Sequence, residues 1–176
     1  MKRLTMAFVV GCTTFVLHAA SFMWQSDTDL VDNTGVALRS TDYSFVLACI
    51  GDGSGVDYSS AYDNICNTGS FSWSDSYNEI TGTYGLTSGK DMNGMIYAVL
   101  AQKDDTLFYL NNYGTEGLVN TYTLTGFDDP TSPINDFTFG AGDGFVIGEA
   151  VPTPEPTSGL LVLIGMAGLA LKRKRA

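Results

Sequence analysis

The chain has 176 residues, enough for one domain with a sizeable core, and carries nine Lys and Arg against nineteen Asp and Glu, a net charge of −10. A surface of that sign repels phosphates instead of neutralising them, which excludes nucleic acid as a partner. One histidine (His18) and three cysteines (Cys12, Cys49, Cys66) narrow the available chemistry further.

At the N-terminus, Lys2 and Arg3 precede an apolar stretch over 4–17, interrupted by Gly11, Cys12, Thr13 and Thr14, and then the small residues Ala19-Ala20-Ser21. This pattern predicts a secretory signal peptide over 1–20, cut after Ala20 or Ser21 by signal peptidase once the Sec machinery has exported the chain. Cys12 lies inside the apolar core without the small-residue approach of a lipoprotein site. His18 and Cys12 both leave with the peptide. Between residues 21 and 155 only Arg39, Lys90 and Lys103 oppose all nineteen acids, a net charge of −16. That charge disfavours direct binding to anionic polysaccharide unless divalent cations bridge the two, and it also serves plain solubility.

The body, 21–150, reads as one all-β domain of β-sandwich or jelly-roll type with one short helix: apolar runs of four to eight residues are broken by Gly, Ser, Thr and Asp. Trp24 is a packing anchor for the first strand, and a short strand is expected at 36–39. Residues 43–50 alternate Tyr43, Phe45, Leu47 and Cys49 on one face with Ser44, Val46, Ala48 and Ile50 on the other. Tyr58, Ala61, Tyr62 and Ile65 follow helical spacing behind an Asp57 cap, which predicts a helix ending before Gly69. Cys49 and Cys66 form an even pair in a chain bound for an oxidising compartment, so a disulfide is expected, with two buried thiols as the alternative. Closing that loop would contribute on the order of 3 kcal/mol.

Further along, Phe71, Trp73 and Tyr77 alternate with polar residues, as a half-buried strand or a sugar-stacking platform would. Strands are expected at 71–73, 80–84, 118–124, 137–139 and 145–147, and 94–101 with 106–110 reads as a hairpin linked by 102–105. The glycine-rich 140–144 lies between strands, not ahead of a helix, and reads as a turn. Residues 149–153 read as a short tether.

A mature chain without histidine loses Ser-His-Asp and Cys-His catalysis, His-ligated zinc and the usual general base near neutral pH. The body is therefore read as non-enzymatic. A carboxylate-dependent glycosidase is the enzymatic alternative, although no pair of acids stands out. No cofactor is called for except calcium. Its candidates are Asp52 and Asp57 on a Gly-rich loop and Asp136 and Asp143, with Glu149 and the Asp27/Asp29 pair nearby in kind. Asp-Gly runs are equally turn formers. Together with the aromatics, these acids give a calcium-assisted carbohydrate-binding module as the alternative function.

The C-terminal segment has three parts: Pro154-Glu155-Pro156, a charge-free apolar run over 159–171, and the cations Lys172, Arg173, Lys174 and Arg175. As a helix the run would rise roughly 20 Å at about 1.5 Å per residue. A hydrocarbon core of about 30 Å makes it short for a permanent span, and the cations set its end on the cytoplasmic side. These residues resemble the PEP-CTERM sorting signal of Gram-negative bacteria. The resemblance covers 151–176 and implies transient membrane anchoring, recognition by an exosortase and processing near the tripeptide. It also implies delivery to the cell surface or extracellular matrix, where the protein would be structural or adhesive among exopolysaccharide or biofilm. The Leu-Pro-x-Thr-Gly motif of the Gram-positive sortase signal does not occur.

Overall fold

A computed structural model describes residues 21–86, 93–118, 121–125, 136–140 and 142–154. Within them the protein is all-β. The strands are β1 (Ser21–Ser26), β2 (Ser44–Gly51), β3 (Ile65–Trp73), β4 (Asn78–Gly85), β5 (Ile96–Lys103), β6 (Thr106–Asn112), β7 (Thr121–Thr123), β8 (Phe137–Phe139) and β9 (Phe145–Ala150). One 3-10 helix, Tyr58–Tyr62, separates β2 from β3.

All nine strands belong to one sheet in the order β8-β1-β4-β3-β2-β5-β6-β9, with β7 also on β5. Neighbours are antiparallel except for β1 and β8. The sheet curls. Leu30, just after β1, bridges Phe145 at the start of β9, and the Val31 and Phe145 amides donate to Phe145 and Asp29 carbonyls at 2.9 and 3.0 Å. Among the described residues the core is thus enclosed by the curvature of one continuous sheet.

The strongest expected strand is the middle of this sheet. Phe45 and Leu47 of β2 and Tyr97, Val99 and Ala101 of β5 face the main core inside the curl. Val46, Ala48, Ile50, Ala98 and Leu100 on their opposite faces are equally buried, in a second cluster beneath the 3-10 helix. A strand buried on both faces reads as a continuous apolar run, which is how both appear in the sequence. The β5–β6 hairpin turns on Asp104 and Asp105 alone, with Asp104 at φ 52° as a two-residue turn requires.

Several expectations are corrected. The helix is a five-residue 3-10 segment, Tyr58–Tyr62, and Ile65 lies outside it at the start of β3, paired with Ala48 of β2. β3 reaches back to Ile65 through a polar stretch whose alternation is faint. Residues 36–39 form no strand, and Ala37 makes only a bridge to Val31. In 118–124, Thr121–Thr123 form a strand and Leu118 bridges Asn111, while 119–120 lie outside the described residues.

Trp24 is fully buried in a slot cut by two glycines. A Cβ on Gly82, its partner on β4, would lie 2.3 Å from the indole Cε2, and one on Gly69 of β3 would lie 2.4 Å from Cη2. The indole N–H donates to Asn67 Oδ1 at 2.9 Å, and the ring packs on Phe139. Trp24→Ala is expected to lower unfolding stability by about 3–5 kcal/mol. Gly82→Ala should also destabilise, and the double variant should lose less than the sum of the two, because the slot and its occupant are coupled. Denaturant unfolding of the three variants checks this; strict additivity would mean that the glycine is not there for the indole.

Candidate functional site

Two regions gather the residues with functional potential: the point where the C-terminal segment leaves the sheet, and the excursion between β2 and β3. In the first, β9 pairs antiparallel with β6, Leu110 opposite Ile147 and Phe108 opposite Ala150. That register contains one extra residue on β9, around Gly148, where a Cβ would meet Asn111 Nδ2 at 2.4 Å. The bulge reverses the alternation. Phe145 and Ile147 therefore face the main core, whereas Val151 turns into the second cluster and is 1 % exposed.

Val151 is held by its backbone as well. Its N–H donates to Leu107 O at 2.8 Å, and its carbonyl accepts from the Tyr62 hydroxyl at 2.9 Å. The same hydroxyl accepts from the Leu107 N–H at 3.3 Å, so one phenol joins β6, the 3-10 helix and the C-terminal segment. Asp57 positions that helix by accepting from the Ser59 N–H at 2.9 Å. The following Pro152, Thr153 and Pro154 are exposed. Proline has no N–H to donate, so the ladder stops there. The expected tether is therefore shorter than 149–153: Glu149 and Ala150 belong to β9 and Val151 is core.

Of the sorting residues, Pro154 lies in this exposed stretch. Glu155, Pro156, the run 159–171 and Lys172 to Arg175 lie outside the described residues, as does the signal peptide 1–20. Among the described residues no helix is long and apolar enough to cross a membrane.

The β2–β3 excursion borders an open cavity of about 480 Å³ lined by Cys49, Asp52, Ser54, Asp57, Asn64 and Met95, among others. Its acids are already engaged. Asp52 Oδ1 accepts from the Ser54 hydroxyl and amide at 2.6 and 3.2 Å, which holds its carboxyl below the usual range. Asp57 is the helix cap. Asp136 accepts from the Met23 N–H at 3.0 Å, away in sequence on β1, and Asp143 sits exposed in the turn before β9. Asp29 accepts from the Asn78 N–H at 2.6 Å at a cleft of about 240 Å³ shared with Asp27. Among the described residues no three His, Cys, Asp or Glu side chains converge to hold a metal ion.

The aromatic run is split in the same way. Phe71 stacks on Phe45 at the core, Trp73 lies under the Arg39 guanidinium at 5.6 Å, and Tyr77 is exposed in the turn to β4. The three rings do not form one platform.

Cys49 and Cys66 are free thiols, not the expected disulfide, yet they are neighbours. Leu47 pairs with Asn67 and Ala48 with Ile65, so Cys66 is the extra residue of a bulge. The bulge turns Cys66 towards the main core, the side that Cys49 also faces. The Cys66 thiol donates to Asn64 O at 3.3 Å and the Cys49 thiol to Gly51 O at 3.6 Å, and burial pushes the Cys66 thiol pKa up. Such a thiol is a poor nucleophile at neutral pH.

No family model, no curated protein and no solved structure matches the chain. Its function has to be argued from its own residues.

Beside the thiols, burial first and then Cys66 raise the Tyr84 phenol from 10.0 to about 12. Burial raises Tyr97 well above its ordinary value, and its hydroxyl finds no hydrogen-bond partner among the described residues. A raised folded-state pKa favours the neutral phenol. Its stabilising contribution is therefore complete below the ordinary value of 10.0 and disappears as pH rises through about 12. Thermal unfolding against pH should accordingly show a falling Tm between those limits, with the last tyrosines ionising only as the fold is lost. Near-complete tyrosinate absorbance in a still-folded protein at about pH 11, where phenols of the ordinary value are about nine-tenths ionised, would contradict the buried Tyr84–Tyr97 cluster.

Proposed function

We propose that this is an exported, non-enzymatic protein addressed by its C-terminal segment. An exosortase-type membrane enzyme processes it, and it is delivered to the cell surface or extracellular matrix, where the all-β body has a structural or adhesive role. The observation that carries this reading is the ordered tail: Pro154-Glu155-Pro156, then the apolar run 159–171, then Lys172 to Arg175. The place where the ladder ends supports it. Val151 is core and Pro152 to Pro154 are exposed, so the tripeptide begins within about 10 Å of extended chain from the last fixed residue.

A structural role for the body is supported by the absence of histidine between residues 21 and 176 and by the use of its acids as turn locks and caps. Mass spectrometry of the protein recovered from its native cells tests the proposal. The expected mature form starts at Ser21 or Phe22 and ends between Pro154 and Thr157. A protein that keeps Lys172 to Ala176 would overturn the processing reading, and one that keeps Met1 would overturn export.

A further inference from the structure

We propose that Cys49 and Cys66 are a site of oxidative closure, and that the resulting disulfide locks the 3-10 helix against the sheet and so holds the C-terminal exit at Val151. The inference rests on the proposed export only for its oxidant; the geometry stands by itself. The two residues flank the excursion from β2 to β3, and part of the grip on the exit belongs to that excursion: the Tyr62 hydroxyl on the Val151 carbonyl, Ala61 in the second cluster and the Asp57 cap that positions both. Without the bulge, Cys66 would alternate to the outer face while its neighbour Asn67 faces the Trp24 indole. With it, both cysteines lie on the inner side, on hydrogen-bonded strands, with the Cys49 N–H donating to Asn64 O at 3.0 Å beside them.

Access decides the order of events. Both cysteines are half-buried against the main core, but Cys49 also lines the open cavity of about 480 Å³, and Cys66 is not among the residues lining it. The Cys49 thiolate attacks the disulfide of an oxidised dithiol carrier or of oxidised glutathione, forming a mixed disulfide and releasing one carrier thiolate. Cys66, held beside the mixed disulfide, gives its proton to the released carrier thiolate, attacks the Cys49 sulfur and expels the second carrier thiolate, which takes up a proton from water. The protein loses two electrons and two protons; the carrier disulfide gains them. The product staples the two ends of the excursion, so that opening it no longer frees the helix.

The test uses the purified full chain in detergent, reduced and then treated with oxidised glutathione. Alkylation with mass spectrometry should find both thiols protected in a monomer two hydrogens lighter, while Cys49→Ser leaves Cys66 open to alkylation or glutathionylation. Hydrogen exchange of the Val151 amide should then be roughly tenfold or more slower in the oxidised protein than in the reduced protein. Two thiols that stay alkylatable would overturn the proposal. So would closure that leaves Val151 exchange unchanged. Reduced thiols in protein taken from its native cells, with closure intact in the tube, would contradict export and leave the clasp standing.

Discussion

The curl of the sheet depends on the indole of Trp24 lying flat over backbone that has no side chains to keep it away. Gly82 and Gly69 sit one and two strands from β1, and each leaves the space of a methyl group to the ring. An ordinary β-residue at either position would push β1 off β4 or force the indole out of the core. Because the slot exists, β1 packs closely, β8 adds beside it in parallel, and Leu30 is brought round to Phe145. The aromatic contacts of Phe139 with Trp24 and with Phe145 then fill the seam where the two ends of the sheet meet.

Bulges decide where the functional residues point. A regular strand sends alternate side chains to opposite faces, and a single extra residue reverses that assignment for everything beyond it. On β3 the extra residue brings Cys66 to the side of Cys49. On β9 it sends Val151 into the second cluster, under the 3-10 helix, instead of the main core. Both irregularities act on the same part of the molecule, since Tyr62 stands on the excursion that begins and ends at the two cysteines. The second cluster is thus where the tail and the helix become mechanically connected, while the thiol pair stands on the main-core face at the two ends of the same excursion.

The all-β class and the doubly buried β2 and β5 were legible because apolar runs such as Phe45 to Ile50 leave no alternative. The β5–β6 hairpin was legible from the polar link at 102–105, of which only Asp104 and Asp105 form the turn. The cap at Asp57 was also legible, but the helix behind it was overestimated. Ile65 satisfies helical spacing and strand pairing equally, and the ladder with Ala48 prevails. Three features were hidden. β3 starts in Cys66-Asn-Thr-Gly, where polar side chains and a glycine mask the alternation. Gly69 and Gly82 look like turn or spacer residues until the indole over them is known. Val151 looks like part of a proline-rich tether, because the bulge that buries it has no local signature except Gly148. The candidate calcium acids were chosen for residue type, and the hydrogen bonds that commit Asp52 to its turn and Asp57 to its cap depend on backbone geometry that composition does not encode.

The central claim is that the body ends at Val151, so that the tail proposed as an address begins directly beyond the last core residue. Thermal unfolding of two shortened proteins, one lacking 155–176 and the other lacking 151–176, tests it most directly. The first should melt with the full chain. The second should melt several degrees lower, because removing a buried Val and its two backbone hydrogen bonds costs about 2–4 kcal/mol. Equal melting temperatures for the two would contradict the claim, as would a loss of folding in the protein that still has Val151.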